Sequence, residues 1–285
     1  MGPATAFGAS PTVTSRRFSH TAFVYETDQE YVGAAVEFLR AGLEAGEGAL
    51  IASPRDRQAL LRGALGPLAE RIAFLDLGAV DRPAQAVAVQ YAAVSEQLRR
   101  FPALRLVVGV DPGPPDNGRL EWRGYEAALE RTLGGLPVRA LTAYDARCAA
   151  VEILRGPSPE PQPLPGLRTI AGGADPEALR EQLGAALAAE GVAGRRALEA
   201  LLAANEVIVN ALRHGEPPVE LRLGREGGRV VCEVIDRGPG FEDPLAGFDP
   251  PEDPGSAPGL WVVRQLVRNL EAFRSPAGFT VRLWL

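Results

Sequence analysis

Residues 201–215 read Leu-Leu-Ala-Ala-Asn-Glu-Val-Ile-Val-Asn-Ala-Leu-Arg-His-Gly, and their spacing decides how the C-terminal part of the chain folds. Leu201, Ile208 and Leu212 recur at helical spacing and define an apolar stripe. Glu206 and Asn210 are four residues apart, so they share one face beside that stripe. A carboxylate and a carboxamide set among Val, Ile and Leu cost free energy to bury unless they have partners. The pair therefore reads either as part of a site or as an exposed hydrogen-bonded pair. The helix is expected over 195–214, after another over 176–190. Two strands, 219–223 and 230–235, follow with Arg225-Glu226-Gly227-Gly228 at the turn, a hairpin signal. A Pro/Gly/Asp-rich loop over 237–258, a helix over 260–270 and a last strand over 279–285 complete an α+β sandwich.

Two further stretches belong to the same unit. Val234-Ile235-Asp236-Arg237-Gly238-Pro239-Gly240-Phe241 is a strand that ends at an acid and turns through two glycines. Asp236 can accept a hydrogen bond from an exocyclic amine, and Gly238 and Gly240 allow a ligand to approach the backbone closely. Alone, the stretch is also an ordinary surface turn. Gly255-Ser256-Ala257-Pro258-Gly259-Leu260-Trp261 is a loop leading into a helix start, where free amides and the helix dipole favour phosphate. The order and spacing of the three stretches carry more than any one of them.

Working outward, Gly156 to Gly166 reads GPSPEPQPLPG, a proline-rich spacer. It predicts a small polar tail over 1–17, an N-terminal domain over 18–155, a linker over 156–167 and a C-terminal domain over 168–285. In the N-terminal domain, short apolar runs at 21–25, 49–52, 72–75, 106–110 and 138–144 alternate with helix signals. Thr27-Asp28-Gln29-Glu30 fits a capping box, and Val32, Val36, Leu39 and Leu43 repeat at helical spacing behind it. Strands that are apolar throughout and separated by helices predict a parallel sheet covered on both faces. The fold class is thus α/β followed by α+β. His20, Tyr25 and Asp111 fall at or beside strand ends; they line a pocket or merely cap the sheet.

Composition removes several chemistries. All 30 basic residues of the 285 are arginine. Without lysine there is no P-loop, no protein-kinase strand lysine and no Schiff base. A net charge of −6 gives no reason to expect direct nucleic-acid binding. His20 and His214 are the two histidines, too few for a multi-histidine metal site. Cys148 and Cys232 lie far apart, outside any metal-ligand spacing, and are expected to be reduced and buried. No basic start with an apolar core, and no apolar run near ~18 residues, is present. The expectation is a cytoplasmic protein without membrane contact.

Residues 201–215, 234–241 and 255–266 resemble the asparagine box and the two glycine boxes of the Bergerat-type ATPase fold, shared by histidine kinases, gyrase and MutL. NEVIVNALRHG and GLWVVRQLV, without a phosphoacceptor-histidine helix, resemble the anti-sigma serine-kinase branch in particular. The resemblance implies that the domain binds ATP with Mg²⁺. Asn210 would hold the metal, and Glu206 would serve as general base toward a protein serine. Asp236 would read the adenine amine, backed by Gly238 and Gly240. Gly255 and Gly259 would frame the phosphate-facing lid, and Thr280 of the last strand would approach adenine. Arg213 or Arg264 could add phosphate countercharge, and His214 reads as a helix-end cap. Departures are Ala257 and Pro258 in the lid, and Phe279 where a small residue or threonine is common.

Residues 18–155 resemble the MEDS sensory domain through His20 to Tyr25, Gly42 to Glu47 and Ala143 to Arg147. That implies a RecA-like α/β fold which senses a small ligand. Val107 to Asp111 resembles a Walker B strand, yet no glycine-lysine loop precedes it, so no nucleotide hydrolysis is expected there. The combined expectation is a signalling regulator acting on a sigma factor and an anti-sigma antagonist protein, with a homodimer as a feature of the branch. The alternatives are a sensor histidine kinase and a non-catalytic nucleotide-binding interaction module.

Overall fold

The computed structural model describes residues 18–80, 82–109, 124–147, 161–243, 245–251 and 259–285. They form two five-stranded sheets. The first takes β1 (Ser19–Tyr25), β2 (Gly48–Ser53), β3 (Ala73–Asp76), β4 (Leu104–Gly109) and β5 (Val138–Asp145) in the order β1-β5-β4-β2-β3. Every pairing is parallel. Helices α1 (Asp28–Glu44) and α2 (Arg55–Leu65) cover one face; α3 (Pro83–Leu98) and α4 (Tyr125–Leu133) cover the other. Strand periodicity explains the two cores. Ala49 and Ile51 of β2 pack with Tyr31, Leu39 and Leu61, while Leu50 and Ala52 pack with Val87, Val94 and Leu129. The expected doubly covered parallel sheet is thus present.

α1 starts at the expected capping box. Thr27 Oγ1 accepts the Glu30 amide at 3.2 Å, and the Glu30 carboxylate accepts the amides of Thr27 and Glu26. The buried stripe of α1 is rotated from the expected one: Tyr31, Ala35, Leu39 and Leu43 face the sheet, and Val32 and Val36 are only half-buried. Small Ala35 and bulky Tyr31 fit the sheet surface closely, which pattern alone does not weigh.

The second sheet holds β6 (Arg168–Gly173), β7 (Val219–Glu226), β8 (Arg229–Asp236), β9 (Asn269–Ser275) and β10 (Gly278–Trp284), ordered β6-β7-β8-β10-β9 and antiparallel throughout. Helices α5 (Pro176–Ala189), α6 (Gly194–His214) and α7 (Gly259–Leu266) lie on one face. Their core is Leu179, Leu183 and Leu187 of α5, Ala203, Val207 and Ile208 of α6, and alternate residues of β7, β8 and β10. Leu201 and Leu212 of α6 pack at its edge, half-buried, and the centre of the stripe is the small residues between them. The expected α+β sandwich is present, with two corrections. β6 and β9 carry no strand signal in the sequence. The last helix stops at Leu266, and residues 269–275 pair along the whole of β10.

The opposite face of this sheet carries a buried ion pair. The Arg282 guanidinium donates to Glu233 at 2.8 and 2.7 Å, and also to Glu271 and the Gln162 carbonyl. Cys232 is buried, and desolvation pushes its thiol up to about 12, so it is an inert core side chain. Cys148, Asp111, Gly255, Ala257 and Pro258 lie outside the described residues, as do the expected tail and residues 156–160 of the spacer.

Candidate functional site

α6 runs unbroken for 21 residues and places Glu206 and Asn210 one turn apart, both half-buried. Asn205, beside them, has its Oδ1 buried without a hydrogen-bond partner. The helix ends at Gly215, whose amide bonds to the Ala211 carbonyl. There it meets the end of β8. Asp236 is 5% exposed, and its Oδ1 accepts the Gly238 amide at 2.7 Å. A β-carbon on Gly215 would overlap that same oxygen and also the Ala211 carbonyl, and one on Gly238 would fall 2.5 Å from the Gly215 Cα. The two glycines therefore let the helix end sit directly over the carboxylate. Arg274 of β9 donates to the Pro239 carbonyl and braces the turn from outside.

Pairing register settles which last-strand residue faces this site. Asp236 lies opposite Phe279, and Thr280 lies opposite Ile235. Phe279, Val281 and Leu283 belong to the core beneath the helices, on the same face as Asp236. Thr280 points to the other face, where its Oγ1 meets Ser275 Oγ at 3.1 Å. The expectation that Thr280 approaches a base beside Asp236 is corrected: Phe279 occupies that face. Its ring is edge-on to Phe241, with centroids 5.1 Å apart, and it lies against Gly240, where φ is +66° and no β-carbon would fit.

The structure brings the C-terminal end of α6, Asp236, Gly238 and Gly240 to one end of the sandwich; Asn210 and Glu206 lie further back along α6, which packs beside α7. Gly259 opens α7 with φ of +44°. The two candidate cations diverge. Arg213 is exposed on α6, whereas Arg264 is 7% exposed. Arg264 Nε donates to the Ala246 carbonyl at 2.7 Å, its guanidinium lies 4.1 Å from the Phe248 ring centroid, and burial pushes its pKa down to about 10. Arg264 is thus committed to the segment before α7. His214 is exposed in the last turn of α6.

Among the described residues, no group of three or more His, Cys, Asp or Glu side chains is placed to hold a metal. A site built on Asn210 would therefore leave most of a cation's coordination to water and a phosphate ligand, as Mg²⁺ prefers. The donor set fits a nucleotide: a buried acceptor for an amine, a carboxamide for a hydrated cation and glycine-lined backbone.

In the first sheet, His20 and Tyr25 do not share a pocket. His20 lies on the α4 side, 2.8 Å from Thr142 Oγ1 and 3.3 Å from Glu130. Tyr25 packs on the α1 side, next to Tyr31 and below Arg57. Arg57 and Arg147 bridge Asp28 and Asp145 at the sheet's carboxyl end. Those arginines hold both carboxyls below their ordinary range.

Sequence reasoning missed Gly215, whose role shows only once Asp236 lies beneath it. It also missed Leu245 and Phe248, which join the core of the first sheet rather than that of their own. Their apolar character inside a Pro/Gly/Asp-rich loop was the available signal.

A doubly wound parallel unit followed by a helix-covered antiparallel sheet, with a helix ending over a strand-end aspartate, defines the class: an α/β unit joined to an α+β unit. Residues 174–285 match the profile of the histidine kinase-like ATPase domain, and residues 19–156 match that of MEDS, the methanogen/methylotroph DcmR sensory domain. The chain thus joins a MEDS domain to a histidine kinase-like ATPase domain. No curated protein matches it. Among solved structures, it is similar to the RsbU and RsbW domains of Rv1364c from Mycobacterium tuberculosis. Identity is 23% and the TM-score 0.31, over 44% of this chain and 32% of that one. This chain therefore spans about a third of that protein's length. No described helix is long and apolar enough to cross a membrane.

Proposed function

We propose that the C-terminal domain binds ATP with Mg²⁺ and acts as an anti-sigma factor and serine protein kinase, while the N-terminal domain senses a small ligand. The partners would be a sigma factor and an anti-sigma antagonist protein. The observation that carries the nucleotide reading is the Asp236 carboxylate. It is buried and oriented by the Gly238 amide, and among the described residues it makes no other side-chain hydrogen bond. That leaves acceptor capacity for an exocyclic amine. Asn210 would contribute to a hydrated Mg²⁺ and Glu206 would take a proton from an attacking serine hydroxyl. Bound Mg²⁺ would neutralise phosphate charge, a role that no lysine is available to share.

Titration of the full chain with ATP in the presence of Mg²⁺ tests the site. Asp236→Asn and Asn210→Ala are each expected to weaken binding about tenfold or more, the scale of losing one charge-assisted hydrogen bond. Unchanged affinity in both variants would sink the assignment. Transfer of the terminal phosphate to a serine of a candidate antagonist, lost in Glu206→Gln, tests the kinase step.

Phe279 favours a second reading, a non-catalytic nucleotide-binding module. Its ring fills space beside Gly240 on the face where Asp236 would meet a base. Binding of a sigma factor without serine phosphorylation would select that reading. A sensor histidine kinase finds less support, because His20 lies on β1 with its ring engaged by Thr142.

A further inference from the structure

Residues 241–243 and 245–251 stand between the Asp236 turn and α7 in the sequence, yet they are held by the other domain. Arg131 of α4 donates to Asp243 and to Asp249, each at 2.5 Å, and Thr132 adds a bond to Asp249 at 3.3 Å. One guanidinium therefore ties together two carboxylates six residues apart. Between those anchors the chain makes a compact turn: the Leu245 amide bonds to the Asp243 side chain, Ala246 to the Asp243 carbonyl and Phe248 to the Leu245 carbonyl. The turn drives Phe248, 8% exposed, into the core built by α3 and α4.

The reverse side of the turn is equally committed. Gly247 has φ of +82°, and a β-carbon there would lie 2.6 Å from the backbone of Leu260, the second residue of α7. Arg264 of α7 holds the Ala246 carbonyl and stacks on Phe248. The far end of α7 is tied to the N-terminal domain too. The Gln265 carbonyl accepts from Arg82 at 2.7 Å and from Gln85 at 2.9 Å, and Arg82 also reaches Glu199 of α6.

We propose that Arg131 is a positioning residue for the C-terminal site: α4 of the N-terminal domain clamps the 243–249 turn, the turn sets the start of α7, and nucleotide retention thereby depends on the state of the N-terminal domain. This rests on the nucleotide reading above. The device is reciprocal, since whatever reorients α4 alters the site, and occupancy of the site alters α4. His20 lies against the same helix through Glu130, one residue before Arg131, so a change around His20 has a short route to the clamp.

The test uses the full-length chain, amide hydrogen exchange and the dissociation rate of a fluorescent ATP analogue with Mg²⁺. Arg131→Ala is expected to speed exchange at 245–251 and in α7 about tenfold, leaving α1 and α2 unchanged, and to raise the dissociation rate about fivefold, the lower end of measured couplings. Arg131→Lys should recover part of both effects. Arg55→Ala removes an equally short ion pair, to Asp76 at 2.5 Å, away from the clamp and should change neither. Unchanged exchange and unchanged dissociation in Arg131→Ala overturn the proposal, and so does faster exchange with unaltered dissociation. If the wild-type chain binds no nucleotide, the nucleotide reading fails. Exchange alone then judges the clamp: faster exchange at 245–251 in Arg131→Ala supports it, and unchanged exchange overturns it.

Discussion

Gly215 has no room for a side chain, because the Asp236 carboxylate and the Ala211 carbonyl occupy the place of a β-carbon. Gly215→Ala should therefore push α6 off the end of β8 and cost about 1–3 kcal/mol, the usual penalty for overpacking. Urea denaturation measures that loss, and ATP titration should show a weaker site in the same variant. Arg282 offers a second residue-scale prediction. Its side chain is 3% exposed and its partner Glu233 7%. Arg282→Ala leaves a buried carboxylate unpaired and should cost about 3–5 kcal/mol, whereas Arg282→Met combined with Glu233→Leu should be near neutral. Denaturation of the single and double variants separates the two cases. At this scale the sequence was legible where residue type alone carries the chemistry. Asp236, the acid before two glycines, was read that way, and it is buried at the end of β8 with the Gly238 amide on its Oδ1. The sequence was not legible where one residue of register decides a face: Thr280 and Phe279 are neighbours, and only the pairing of β10 with β8 shows which one lies beside Asp236.

Elements with strong local signals matched expectation, and the two strands without one, β6 and β9, did not. α1 begins at a complete capping box, so Thr27→Ala should cost about 1 kcal/mol. That loss would appear as a lower thermal midpoint with unchanged nucleotide affinity, since α1 packs on the face of the first sheet opposite α4 and the clamp. β9 shows the opposite case. Asn269–Ser275 follows a helix, lacks β-branched residues and continues an apolar spacing, so it reads as helix until Leu270. The Arg268 amide bonds to the Trp284 carbonyl, and every residue from Asn269 to Ser275 finds a partner on β10. A ladder formed with a distant segment overrides weak local preference. β6 was missed for a related reason: it is an edge strand whose register shifts between Thr169 and Ala171, and it ends in two glycines.

The two domains share material at their junction, and this sets how the whole molecule unfolds. Phe248 comes from the C-terminal domain but is buried among α3 and α4, and the Arg131 clamp flanks it on both sides. Acid should weaken that junction. Hydrogen bonding by Arg131 holds the Asp243 carboxyl below its ordinary value. A lowered folded-state pKa contributes stability that is present above the unfolded value and is lost as pH falls through the folded one. The junction should therefore hold at neutral pH and loosen below about pH 4, the ordinary aspartate range. Asp28 and Asp145, paired with Arg57 and Arg147, shift in the same direction, so the N-terminal domain also loses stability in that window. A buried apolar anchor does not titrate, and this separates the two contributions. Phe248→Ala should cost about 3–5 kcal/mol, as for other buried phenylalanines, at every pH. Its loss should also uncouple the domains: calorimetry should show one transition in the wild-type chain at pH 7 and two in Phe248→Ala. The wild-type trace should begin to split only below about pH 4, where the stability contributed by the lowered Asp243 carboxyl starts to be lost. A single unsplit transition in Phe248→Ala would mean that the domains are held together by the Arg82 and Gln85 contacts at the far end of α7, and the junction would have to be assigned there.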